Sequence, residues 1–156
     1  MRRDVWRIGA DTPDYGADDL SGTGAEKTGG RWNRKGAPLV YASCSIALTC
    51  LETIVHLGTP LPMNRYLVRI EVPLAAWDGR TVFNESAHVG WDALPAGLVS
   101  MDWGTHWAKS LQSLVAEVPS IVVPEESNVL LNPRHQDAPK LVATKMRHWT
   151  YDTRLS

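Results

Sequence analysis

At 156 residues and 17.2 kDa the chain is long enough for one domain that hides roughly two thirds of the surface its unfolded form exposes, and no second domain is expected. Sixteen Lys and Arg against seventeen Asp and Glu give a net charge of −1, which argues against a protein that neutralises a nucleic-acid backbone. With 44% apolar and 21% charged residues the chain is neither disordered nor fibrous. No run approaches the roughly 18 apolar residues of a membrane span, and Met1-Arg2-Arg3-Asp4-Val5-Trp6 has no signal-peptide core, so a cytoplasmic protein away from the membrane is expected.

The two cysteines, Cys44 and Cys50, have no second pair and no histidine at ligand spacing, so free thiols are expected in place of zinc or a disulfide. Seven tryptophans stand against one phenylalanine. Indoles fill cores, and an indole can also wall a pocket for a flat ring.

In chain order, Val5-Trp6-Arg7-Ile8 alternates and predicts a first strand, closed by Gly9 and the Thr12-Pro13 turn. Residues 11–26 are acidic and contain glycine, which predicts a loop: a plain connection, or a segment able to close over a ligand. Gly29-Gly30 permit a sharp turn or a close approach to a ligand, and Arg31-Trp32-Asn33 follow on what is read as a rigid strand. Pro38-Leu39-Val40-Tyr41-Ala42-Ser43 predicts a short buried strand. Ser43 or Ser45 can then N-cap a helix running to about Leu57, terminated by Gly58 and Pro60. Ile46, Leu48, Leu51, Ile54, Val55 and Leu57 give it a broad apolar stripe.

Residues 65–72 alternate cleanly and predict a strand stopped by Pro73. Residues 77–97, rich in Pro, Gly and Asp, predict irregular structure with one short helix. A helix is predicted over 105–116, Trp103 and Trp107 leading a stripe that Leu111, Leu114 and Val115 continue. Residues 118–124 predict a buried strand between prolines, followed by a turn over 125–128, the run Val129-Leu130-Leu131-Asn132-Pro133, and a final strand over 147–151.

Several residues can carry chemistry. Arg31, beside two glycines, can grip a diphosphate or ribose through paired, charge-assisted hydrogen bonds. Glu52 rides an otherwise core-facing helix, where an unpaired carboxylate is costly, so it is exposed, joined to Arg31 in a structural salt bridge, or held ready for a reaction. Glu52 and His56 share a helix face, but two ligands are too few for a metal, and His88, His106, His135 and His148 complete no site. No metal is expected, and His56 is read as a partner of Glu52 or a helix cap. The Tyr41 ring is core or a stacking platform. Ser120 lacks an adjacent base or a nucleophile elbow and is read as a binding hydroxyl. Asn128 and Asn132 fall in a turn where they can bond their own backbone.

Taken in series, these motifs resemble the RES domain, the toxin half of a bacterial toxin-antitoxin pair. Gly30-Arg31-Trp32 resembles its arginine motif, Val40-Tyr41-Ala42-Ser43 its tyrosine strand, and Leu51-Glu52-Thr53-Ile54-Val55-His56 its glutamate helix. Val118-Pro119-Ser120 with Asn128-Val129-Leu130-Leu131-Asn132-Pro133-Arg134-His135 resembles its serine and asparagine segment, and Asp152-Thr153-Arg154-Leu155 its usual ending. The resemblance runs over nearly the whole chain, so 1–156 is read as a single RES-like domain.

It implies an α/β (α+β) fold related to ADP-ribosyltransferase toxins, with a split, mixed sheet and flanking helices around an NAD cleft. NAD enters as substrate. It is destroyed by hydrolysis or phosphorolysis, or its ADP-ribose is transferred to a protein, and an Xre-type antitoxin silences the toxin by covering the active site. In that frame the catalytic set is Glu52, Arg31 and Tyr41. Glu52 stabilises the cation at the ribose as nicotinamide leaves. Arg31 holds the diphosphate or the adjoining ribose, and Tyr41 stacks on or orients the nicotinamide end. Ser120 and Asn128 bond the ligand from the opposite wall, and Trp32 lines the adenosine side. Nicotinamide leaves as a neutral ring, so no strong general acid is needed. The resemblance gives residues 77–97 no role. The residues alone leave other classes open: a non-catalytic module that binds a nucleotide or a partner, or a scaffold with a tryptophan-rich docking surface.

Overall fold

A computed structural model of the chain describes residues 1–155. Its elements in order are β1 (Arg2–Ala10), α1 (Thr23–Thr28), β2 (Val40–Ser43), α2 (Ile46–Leu57), β3 (Arg65–Pro73), α3 (Leu74–Asp78), β4 (Thr81–Val82), α4 (Leu98–Ser110), β5 (Val115–Pro119), β6 (Ser127–Leu131) and β7 (Val142–Trp149). The strands form one sheet in the order β4-β5-β6-β2-β1-β3-β7. Among the described residues only β4 and β5 run parallel, so the sheet is mixed.

Strands β1 and β3 pair along their whole length, from Arg2 opposite Pro73 to Ala10 opposite Arg65. By contrast β1 and β2 share one registered pair, Trp6 with Ser43. The sheet therefore parts between β1 and β2, as the split, mixed α/β fold requires.

The two-residue period of the strands sorts their side chains between the faces. One face carries Val5, Val40, Val68, Ile70, Val72, Val115 and Val129, packed with Trp77 of α3. On the other, α2 lies over β1 and β2, and α4 lies beside an aromatic group over β5 and β6. Four of the seven tryptophans, Trp32, Trp91, Trp103 and Trp107, gather in that group around Phe83. Trp32 meets Phe83 edge-on at 4.8 Å and stacks on Trp91 at 6.1 Å between ring centroids. The indole surplus is thus largely core.

Helix α2 begins where its cap requires: the Ser45 hydroxyl accepts the Leu48 N–H at 3.1 Å, and the Gly58 N–H closes the far end on the Ile54 carbonyl at 2.9 Å. Its apolar stripe is only half used. Leu48 is buried, and Ile46 and Ile54 pack toward Ile8, Leu67 and Tyr151, but Leu51, Val55 and Leu57 remain 37%, 59% and 44% exposed.

Several expectations need correction. The fourth helix is Leu98–Ser110, ending where Leu111 turns left-handed at φ 57°; Leu114 and Val115 look like a continued stripe only because an inward-facing strand entry follows at once. The strand after it is Val115–Pro119, since the Ser120 hydroxyl accepts the N–H groups of Val122 and Val123 and turns the chain. Asn128 consequently lies on a strand, Ser127–Leu131, and not in a turn. The last strand is Val142–Trp149, a mostly exposed edge strand whose residues face water on both sides, which erases the alternation that would announce it. Arg31 sits in a tight turn closed by a bridge between Gly30 and Asn33, not on a strand.

Candidate active site

Tyr41 and Ser43 share one face of β2, Glu52 rides the helix α2 that follows, and β6 supplies Asn128 directly opposite Ser43. Oε1 of Glu52 accepts two hydrogen bonds, from the Ser120 hydroxyl at 2.5 Å and from Nδ2 of Asn128 at 2.9 Å. Asn128 is anchored in turn, its Oδ1 accepting from the Ser43 hydroxyl at 2.7 Å. Among the described residues no donor engages Oε2 of Glu52. One carboxylate oxygen is thus fixed by two donors while the other has none among the described residues.

Ser120 cannot bind a ligand directly. Its side chain is fully buried, its one proton goes to Glu52, and its oxygen is already used by Val122 and Val123. It holds Glu52 instead of forming an opposite wall. Asn128 is only half-buried and its amide carries a second hydrogen besides the one given to Glu52, so it retains a donor.

Arg31 takes its position from residues 77–97. Its Nη1 donates to the carbonyls of Trp91 and Ala93, both at 3.0 Å, which uses both hydrogens of that nitrogen. No acceptor among the described residues engages Nε or Nη2. Desolvation lowers the Arg31 pKa, and the negative charges of Glu52 and Asp92 oppose that shift. No ion pair joins Arg31 to Glu52 among the described residues; the two charges share a neighbourhood without being consumed by each other. His56 is exposed in the last turn of α2, and no hydrogen bond ties it to Glu52.

Tyr41 is held by its hydroxyl, which donates to Oδ1 of Asn33 at 2.5 Å and accepts the Trp32 N–H at 3.0 Å. Burial pushes its pKa well above the ordinary phenol value, so it stays a neutral donor. With the hydroxyl committed, the ring is what Tyr41 can offer a ligand. Gly30 makes this packing possible, because a Cβ there would lie 2.7 Å from the Tyr41 hydroxyl oxygen. Asn33, 1% exposed, spends its amide hydrogens on the carbonyls of Ala25, Arg34 and Ala37. Tyr41→Phe should therefore keep the ring and lose about 1–3 kcal/mol of stability, the cost of leaving buried polar groups unpaired. Urea unfolding measures it; an unchanged midpoint would mean that the hydroxyl is not structural.

Trp32 does not line a ligand wall. It is 2% exposed within the aromatic group, and Gly104 of α4 approaches it so closely that a Cβ there would fall on the Trp32 carbonyl oxygen. Its role is to seat the Arg31 turn on α4.

Sequence reasoning passed over Arg7. Its Nη1 donates to the Tyr41 carbonyl at 3.1 Å, beside the point where β1 and β2 part, and its Nε is buried with no hydrogen-bond partner among the described residues. Burial draws its pKa down, opposed by Tyr15 and Asp19. The available signal was a charge on the same side of β1 as core residue Val5.

Comparison with known proteins bears on this arrangement. The family model described as RES domain matches residues 4–154. The chain belongs to the RES-domain family. It is 53% identical over 159 residues to a protein named Prs ADP-ribosylating toxin from Sphingobium sp. (strain YBL2), covering 99% of this chain and 98% of that one. It is 39% identical over 125 residues to a protein named Toxin Res from Yersinia enterocolitica serotype O:8, covering 78% and 80%. In fold, this RES domain is similar to a chain of the M. tuberculosis MbcT–MbcA toxin–antitoxin complex, with a TM-score of 0.58 at 16% identity over 94% of this chain and 85% of that one. The match runs through the turn bearing Arg31, the helix bearing Glu52 and the strand bearing Asn128.

Proposed function

We propose that the chain is the toxin of a toxin–antitoxin pair, a cytoplasmic enzyme that consumes NAD by breaking the bond between nicotinamide and ribose. The observation that carries this reading is the Glu52 carboxylate, anchored through Oε1 by Ser120 and Asn128 with Oε2 unclaimed. As that bond breaks, its electron pair leaves with the ring nitrogen, and positive charge develops at the anomeric carbon and ring oxygen of the ribose. A fixed carboxylate beside that carbon stabilises the cation without having to reorganise. The nicotinamide departs neutral, and the acceptor forms the new bond to the same carbon and gives up a proton.

Arg31 offers Nε and Nη2 to the diphosphate, charge-assisted and rigidly held. The Tyr41 ring supplies a flat surface for the nicotinamide end, and Asn128 retains an amide hydrogen for the ribose. A protein side chain is the acceptor favoured by the name of the Sphingobium relative; water and phosphate are the competitors. An antitoxin partner is supported by the complex in which the similar fold occurs. The exposed Leu51 and Val55, on either side of Glu52 along α2, give such a partner an apolar footing at the site it would cover.

The test is incubation with NAD alone, with added phosphate, and with cell lysate, following nicotinamide release and any protein mass gain equal to one ADP-ribose. Release with a modified protein band is expected in lysate. NAD bound yet recovered intact in all three would favour the binding module instead.

A further inference from the structure

Ser43 has no part in the reaction as described so far, yet it is 3% exposed, on the strand of Tyr41, with its hydroxyl aimed at the group that holds Glu52. We propose that Ser43 is a positioning residue for Glu52, acting through Asn128: the Ser43 hydroxyl donates to Oδ1 of Asn128, and that anchor keeps the opposite end of the amide on the carboxylate. The proposal rests on Glu52 being the group that meets the ribose.

The direction of the relay follows from donor and acceptor chemistry. An ionised carboxylate only accepts, so the amide must turn Nδ2 toward Glu52 and Oδ1 away from it. Oδ1 then faces β2, where Ser43 stands directly opposite Asn128 in the antiparallel register. A hydroxyl at that point can supply the proton that Oδ1 needs. Without it, Oδ1 would face a residue position closed to water. The amide would gain by rotating toward solvent, and Glu52 would lose the donor at 2.9 Å.

The second donor on Oε1, Ser120, is fixed independently by Val122 and Val123. Removing Ser43 therefore loosens the carboxylate on one side only, an effect on orientation and not on charge. Ser43 also couples the two halves of the site. Tyr41 lies two residues earlier on the same strand face, so a single short strand sets both the ring that receives the flat end of the substrate and the anchor of the carboxylate. The serine is better placed for this than for capping α2, which Ser45 does.

The experiment compares the full-length protein with Ser43→Ala, Asn128→Ala and the double variant, reading nicotinamide release and the side-chain amide NMR signals of Asn128. Ser43→Ala should lower kcat about tenfold, the order expected for one lost orienting hydrogen bond, with KM within about twofold and the backbone spectrum otherwise retained. In the Asn128→Ala background the same change should have almost no further effect, because its route to Glu52 is gone. The Asn128 amide protons should exchange faster in Ser43→Ala than in the parent. Additive losses in the double variant, or an unmoved Asn128 amide signal, would overturn the relay. A parent that releases no nicotinamide would instead remove the reading on which it rests, and the amide signal would still report whether Ser43 holds Asn128.

Discussion

Glu52→Gln is expected to lower turnover about a hundredfold or more, with substrate affinity little changed. Glutamine has the size of glutamate and can still receive the hydrogen bonds that Ser120 and Asn128 donate to Oε1. What it cannot do is present a negative charge to a cation that exists only in the transition state. The loss should therefore fall on kcat and leave KM nearly as it was, since in ground-state NAD the positive charge lies on the nicotinamide ring and reaches the ribose carbon only as the bond breaks. Steady-state nicotinamide release by parent and variant decides it. Turnover within a few-fold of the parent would remove Glu52 from the role, and equal losses in binding and turnover would mean that it grips the substrate instead.

Trp32→Ala should be the most damaging change to stability, costing about 3–5 kcal/mol as a large buried aromatic is replaced by a small side chain and a cavity remains. That is a large part of the 5–15 kcal/mol or so by which a domain of this kind is stable. The indole is packed by Phe83, Trp91 and Trp103, and its backbone N–H and carbonyl meet Tyr41 and Gly104. Collapse of the cavity should drag the Arg31 turn with it. Equilibrium unfolding in urea measures the effect. A variant as stable as the parent but defective in nucleotide binding would return Trp32 to the ligand wall.

The strand over 65–72 and the cap of α2 were legible because each is local. Residues 65–72 alternate without interruption, and Ser45 and Gly58 bracket a helix of helical period. One short strand feeding one helix suggests that Arg31, Tyr41 and Glu52 are neighbours, and the Arg31 charge does interact with both Glu52 and Tyr41. The partners that orient these residues were not legible, since they come from far along the chain. Trp91 and Ala93 hold Arg31 from a stretch whose composition says only that it is irregular, and Ser120 reaches Glu52 across 68 positions.

Ser120 and Trp32 share one lesson. Sequence marks a residue type suited to binding, but burial decides whether it meets the ligand or supports the residue that does. Ser120, with every lone pair and proton spent, does the second; so does Trp32. Asn128 was misplaced for a related reason. A polar pair, Ser127-Asn128, reads as a turn, while its pairing with both β2 and β5 makes it the inner end of a central strand.

The most direct test of the account is single-turnover incubation of the purified protein with NAD carrying label in its nicotinamide ring, in the presence of an excess of acceptor. Labelled nicotinamide is expected to be set free in step with ADP-ribose appearing on the acceptor, and Glu52→Gln to nearly abolish both. Labelled NAD recovered whole from a complex that demonstrably forms would contradict it.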